Sequence, residues 1–113
     1  MKAADAAALT SLARAALLAV TNADTGDVAP AERALGRAKS QLAAVTKRWP
    51  KHARVRRFAR RPIECAEAFL TAAKIEKPDP EELGRLYRAT ERAVQAVLGE
   101  AKVIACQESI HDH

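Results

Sequence analysis

Apolar residues recur every three or four positions through most of this chain, which is the repeat of an α-helix with one buried face. Two segments alternate spacings of four and three: Ala31, Leu35, Ala38, Leu42, Val45, Trp49, and Leu83, Tyr87, Thr90, Val94, Val97, Ala101, Ile104. Such narrow seams are typical of helices that pack antiparallel at about 20°. They predict that the second and fourth helices bury Leu42, Val45, Val94 and Val97 against each other. The alternative is that a seam faces a second copy of the chain in a homodimer.

Composition supports a helical fold. The 113 residues include 27 Ala, the best helix former, and only 4% are aromatic. A chain of this length buries roughly two thirds of its unfolded surface. We therefore predict one all-α domain over residues 1–113, an antiparallel bundle of four main helices with short connections, and leave open a short fifth helix.

The helix boundaries carry their own signals. The first helix is predicted from about Ala3 to Thr21, followed by a turn over Thr21–Asp27 in which Gly26 can take positive φ. The second is predicted from about Pro30 to Trp49, because Pro50 pushes the preceding residue out of the α region.

The sequence marks the start of the fourth helix clearly, but it leaves the start of the third ambiguous. Asp79, Pro80 and Glu82 match the N-cap, N1 and N3 positions of the fourth helix, which Gly99 could break. Pro62 either starts a third helix over 62–76 or kinks a longer one that includes 51–61. The tail from residue 107 is expected to fray.

One segment carries most of the positive charge. No Asp or Glu occurs from Arg33 to Ile63, a span with 11 Lys and Arg, whereas the rest of the chain has 8 Lys and Arg against 14 acids. The formal net charge of +5 is therefore +11 in one segment and −6 elsewhere (11 − 6 = +5). The densest part is 47–61, with Lys47, Arg48, Lys51, Arg54, Arg56, Arg57, Arg60 and Arg61. Charge of this density predicts an anionic partner.

Helical spacing arranges these cations in rows. Arg54, Arg57 and Arg61 fall on one face of a helix, and Arg56 and Arg60 on an adjacent row. Guanidinium groups bind phosphate oxygens with a planar fork, and Trp49, His52 and Phe58 could stack on bases. The leading hypothesis is contact with the backbone of DNA or RNA. The alternative is an adaptor or inhibitor that docks its basic face on an acidic protein surface. A third interpretation is that Trp49 and Phe58 are core residues and that the arginines form a solvated face, partly neutralised by Glu on other helices, with no specific partner.

Other chemistries have weaker support. No zinc-finger spacing or phosphate-binding glycine loop is present, and the chain around Trp49 and Pro50 imitates a helix-turn-helix only loosely. Cys106, Glu108, His111, Asp112 and His113 form a metal-ligand pattern, but it lies on a free end. His52 between arginines could imitate a nuclease base, although such a histidine is more often a surface residue beside phosphate. We therefore predict no catalytic residues, no metal and no cofactor.

Two cysteines, Cys65 and Cys106, do not make a disulfide scaffold, and we expect two buried free thiols unless the chain reverses near Gly99. The apolar run Ala15–Val20 resembles part of a signal peptide, but Asp5 interrupts the chain before it and Arg14 directly precedes it. Together with the low cysteine count, this favours the cytoplasm. No run of about 18 uncharged apolar residues occurs, so no membrane span is expected.

Overall fold

The computed structural model describes residues 3–49 and 53–111, with side chains for 4–49 and 53–106. The helices are α1 (Ala3–Asp24), α2 (Val28–Arg48), α3 (Ala53–Ala73) and α4 (Pro80–His111), and the described ranges contain no strand. The predicted all-α bundle of four main helices is confirmed.

The helices alternate in direction around a bundle with extents of 55 × 22 × 22 Å. Polar contacts across neighbouring helices establish this order. The Ser11 hydroxyl on α1 accepts a 2.7 Å hydrogen bond from Gln41 on α2, and the hydroxyls of Thr21 and Tyr87 lie 3.4 Å apart between α1 and α4. Sequential helices are therefore antiparallel neighbours, and α4 closes the bundle against α1.

The predicted pairing of α2 with α4 is wrong. Val45, Val94 and Val97 are buried and Leu42 is half-buried, but no Cα atoms of α2 and α4 come within 8 Å in the described part of the chain. The two helices lie diagonally opposite. α1 and α3 approach each other across the bundle instead, and α1 buries small side chains, among them Ala13, Ala16 and Ala19, that permit close packing. The seams therefore pack on α1 and α3.

The turn between α1 and α2 contains Gly26 at a positive φ of 87°, as predicted. The N–H of Asp27 donates to the carbonyl of Asn22 (2.9 Å) and that of Gly26 to the carbonyl of Ala23 (3.1 Å). This pair of bonds is a Schellman motif, which satisfies the last carbonyls of a helix. Because it forms after Asp24, α1 is one turn longer than predicted.

The start of α4 is also as predicted. The Asp79 carboxylate accepts a 3.0 Å hydrogen bond from the N–H of Glu81, which satisfies a first-turn amide that has no partner within the helix. Glu82 forms an ion pair with Arg85 at 3.6 Å. Gly99 does not break α4, and the helix continues to His111, beyond residue 107, where the sequence predicts fraying to begin.

Pro62 lies inside α3 with its ring fully buried. Proline has no N–H to donate to the carbonyl of Phe58 and crowds that carbonyl, which destabilises a helix interior. Burial of the apolar ring in the core offsets part of this cost. The longer of the two predicted alternatives is therefore observed, and no short fifth helix is present in the described residues.

The two cysteines are far apart. Ala89 lines the same groove as Cys65, and Cys106 follows 17 residues later (106 − 89), which is about 25 Å along a helix. Both thiols are free, as predicted, because a disulfide requires Cα atoms within about 7 Å. The prediction that both are buried is wrong: Cys65 is half-buried and Cys106 is exposed.

By length and composition, one described helix is apolar enough to cross a membrane. It covers Ala4–Asp24 of α1, with a mean hydropathy of 1.3, and 44% of that stretch is buried inside the bundle. Core helices of soluble proteins and N-terminal signal sequences share these properties, so they do not by themselves identify a membrane protein.

Candidate functional site

The bundle distributes the predicted cationic residues over two helices. Lys47 and Arg48 lie in the last turn of α2, and the five arginines from Arg54 to Arg61 lie in the first half of α3. Lys51 and His52 fall outside the described residues. The described cations differ in environment, and only some of them are available to a partner.

Two of these arginines form ion pairs with other helices. Arg48 forms a 3.1 Å ion pair with Asp5, a carboxylate that α1 buries at the same end of the bundle. Arg54 forms a 3.1 Å ion pair with Glu100 of α4. A buried carboxylate requires a compensating partner, so the role of Arg48 is in large part structural. Sequence reasoning counted both arginines among the binding residues, because neither acid is near them in the chain.

Four arginines come together on the outer flank of α3. Arg56, Arg57, Arg60 and Arg61 line one open groove of about 620 Å³, together with Ala53, Glu64 and Cys65. Arg57, Arg60 and Arg61 are exposed, and Arg56 is half-buried. Among the described residues none of the four forms an ion pair. With one carboxylate present, the local formal charge is +3 (4 − 1). We call this surface the arginine groove.

The next seam of the bundle differs in charge. Between α2 and α3, Lys39 pairs with Glu67 at 2.8 Å and Lys74 pairs with Glu32. These contacts neutralise cations that would otherwise extend the field of the arginine groove. The free positive charge of α3 is therefore concentrated near its N-terminal half.

A second groove adjoins the first along the α3–α4 seam. It has a volume of about 460 Å³ and is lined by Phe58, Arg61, Cys65, Ala89, Arg92, Ala93 and Ala96. Sequence reasoning missed Arg92, which is 31 residues from Arg61 (92 − 61). In the structure, the Arg54–Glu100 ion pair sets the register of α3 against α4 and places residue 92 or 93 level with Arg61.

The groove contains a thiol, that of Cys65, and its surroundings change its pKa. Burial raises the pKa of Cys65 above its ordinary value, while the nearby charges of Arg61 and Arg92 oppose the rise. A thiol with a raised pKa is mostly protonated at neutral pH and is a poor nucleophile. The environment of Cys65 therefore gives no support to a catalytic thiolate.

The predicted stacking residues have different environments. Trp49 is half-buried against the core, with the Arg48 guanidinium 5.8 Å from its ring centre. Phe58 is half-buried at the groove, with the Arg54 guanidinium 5.5 Å from its ring centre. Of the two, Phe58 borders open space beside free arginines.

A further cationic surface lies between α1 and α2. Arg33 and Arg37 are exposed and line an open groove of about 910 Å³ with Leu18 and Gly36 among its residues. These arginines are one helical turn apart, and neither forms an ion pair with another described residue. The pair matches Arg57 and Arg61 in spacing and exposure, which makes it a suitable control.

Of the metal-ligand pattern, the structure describes only the Cys106 side chain, which is exposed on α4. The side chains of Glu108 and His111, and all of residues 112 and 113, lie outside the described part. Within that part, no three His, Cys, Asp or Glu side chains are close enough to share a metal ion.

No known family model matches the chain, and the chain shows no significant similarity to any curated protein or to any solved structure. Function is therefore inferred from the two grooves on α3 and from the charges around them.

Proposed function

We propose that this protein is a non-enzymatic binding protein that contacts the phosphate backbone of nucleic acid through the arginine groove. The observation that carries the proposal is the convergence of Arg56, Arg57, Arg60 and Arg61 on one open groove, without an ion pair among the described residues. A fold does not need such an array, because unpaired like charges repel each other. The array is suited to a polyanion.

The chemistry of arginine favours phosphate as the ligand. Each guanidinium presents a rigid fork of donors that matches two phosphate oxygens and keeps its charge at every physiological pH. Arg56 and Arg60, like Arg57 and Arg61, are separated by four residues, or about 6 Å along the helix axis. Successive arginines can therefore contact successive phosphates of one strand. Such contacts position a protein without reading sequence.

An acidic protein surface is the second candidate, and one observation favours it. Ala53 is exposed and lines the arginine groove, so a partner helix could approach this part of α3 closely. Carboxylates on that helix would then satisfy the same guanidinium groups. This adaptor function predicts loss of a protein complex, and no loss of nucleic-acid binding, when the groove is changed.

The test is fluorescence anisotropy with short labelled DNA and RNA over a range of salt concentrations. For four phosphate contacts, the slope of log affinity against log salt should be about −3 to −4. The double substitution Arg57→Glu and Arg61→Glu should abolish binding while circular dichroism shows an intact fold. The matched control, Arg33→Glu with Arg37→Glu, makes the same change of net charge on the α1–α2 surface and should retain most of the affinity.

Two results would count against the proposal. Equal loss of affinity in both double variants would show that binding depends on net charge and not on the groove. No binding by the wild type below about 100 μM at low salt would be weaker than ordinary non-specific binding. In that case the acidic-protein function would lead.

A further inference from the structure

The α3–α4 groove exists because of a size difference along α4. Phe58 and Phe69 are 11 residues apart, or about three helical turns, and so they lie on the same stripe of α3. Tyr87 covers Phe69 edge-on, with ring centres 5.7 Å apart, and Phe69 is fully buried. Phe58 instead borders a groove lined on the α4 side by Ala93 and Ala96, whose methyl groups are too small to cover it.

The groove is continuous with the arginine groove. Arg61 and Cys65 line both, so the two grooves adjoin at these residues. On one side of Arg61 are the other arginines of α3. On the other side are an aromatic ring, small apolar side chains and the exposed Arg92. A ligand that lies along the arginine groove and turns inward past Arg61 reaches Phe58.

We propose that the α3–α4 groove is a subsite for an unpaired nucleobase, so that the protein prefers single-stranded nucleic acid to duplex. The inference rests on the proposed function, because phosphates in the arginine groove bring the base to the subsite. The base packs against Phe58 and the alanines, and Arg61 and Arg92 hold the flanking phosphates. Proteins that bind single strands without reading sequence generally contact the phosphates with cationic side chains and the bases with aromatic side chains.

The preference for single strands follows from the geometry. In a duplex the bases are stacked and paired inside the helix and present only their edges in the grooves. A paired base could reach Phe58 only if it left the stack, which is energetically unfavourable. A single strand has no such penalty, and its bases are free to turn toward the protein.

The experiment compares three ligands of equal length: oligothymidylate, an abasic single strand with the same phosphates, and a duplex. Oligothymidylate should bind about 5- to 150-fold more tightly than the abasic strand, as expected for one stacked base. Alkylation of Cys65 by iodoacetamide gives a second readout. Oligothymidylate should slow it more than saturating abasic strand does, and Cys106, about 25 Å away, should be unaffected as an internal control.

Two variants test the subsite itself. Phe58→Leu removes the ring and keeps an apolar side chain, and Ala96→Leu fills the groove from an exposed position. Both should reduce the affinity for oligothymidylate to that for the abasic strand and leave abasic binding unchanged. Unchanged oligothymidylate affinity in both folded variants would overturn the inference.

The two proposals fail in different ways. Equal salt-dependent binding of all three ligands, with equal protection of Cys65, would refute the base subsite and leave backbone binding intact. Absence of binding to any of them would refute the proposed function and the subsite with it.

Discussion

Replacing Phe69 with alanine tests the packing of α3 on α4, on which the α3–α4 groove depends. Phe69 is 1% exposed and makes an edge-on contact with Tyr87 at an interplanar angle of 72°. A buried phenylalanine removes about 150–250 Å² from water, which at about 25 cal/mol per Å² corresponds to about 4–6 kcal/mol. This is an upper value, because the unfolded chain already buries part of that surface and alanine keeps its Cβ. We expect Phe69→Ala to lower the free energy of unfolding by about 3–5 kcal/mol.

The matched control is Phe58→Ala on the same stripe of α3. Because Phe58 is half-buried beside the open groove, its loss should cost only about 1–2 kcal/mol. The assay is urea unfolding followed by circular dichroism at fixed pH and salt. If the slope of free energy against urea is unchanged, the shift in midpoint measures stability directly.

The comparison has a clear refuting outcome. Equal losses for the two substitutions would mean that Tyr87 does not cover Phe69, or that the alanines of α4 do not leave Phe58 uncovered. The register of α3 against α4 would then differ from the one described. The α3–α4 groove and the placement of Arg92 would have to be abandoned together.

Three further changes test local features of the fold and site. Asp79→Ala should cost about 0.5–2 kcal/mol by removing the acceptor for the Glu81 amide. The control is Asp27→Ala at the N-cap of α2, where the carboxylate accepts from the Thr25 hydroxyl at 3.3 Å but caps no helix amide, and it should cost under about 0.5 kcal/mol. Equal losses in urea unfolding would refute the Asp79 cap. Gly26→Ala should lower the free energy of unfolding by about 1–2 kcal/mol, because alanine is strained at a positive φ. Alanine at the exposed glycine of α2 should instead raise it by up to about 1 kcal/mol. A change of the same sign in both variants would refute the turn. Because burial raises the pKa of Cys65, its alkylation rate at neutral pH should be lower than that of the exposed cysteine of α4, and it should increase further as the pH rises. Equal rates for the two cysteines, measured by mass spectrometry, would contradict the burial of Cys65.

The sequence by itself was sufficient for features that depend on near neighbours in the chain. The Asp79 cap and the positive φ of Gly26 involve groups only a few residues apart, so residue type and spacing predict them. The helical class follows in the same way from alanine content and the spacing of apolar residues. At Pro62 the sequence left two alternatives, a helix start or a longer helix. Packing decided between them, because the free energy gained by burying the proline ring depends on residues that are distant in sequence.

Tertiary structure alone decided which faces meet and which charges remain free. Similar seams on α2 and α4 predicted their contact, yet α1 and α3 meet across the bundle and lie between the other pair. Asp5 and Glu100, remote in sequence, engage Arg48 and Arg54, whereas Arg92 joins the groove from another helix. Charge density along a chain predicts the sign of a surface potential. The array that can bind a partner depends on which counter-charges the fold brings close, and Coulomb energy falls with distance in space whatever the separation in sequence.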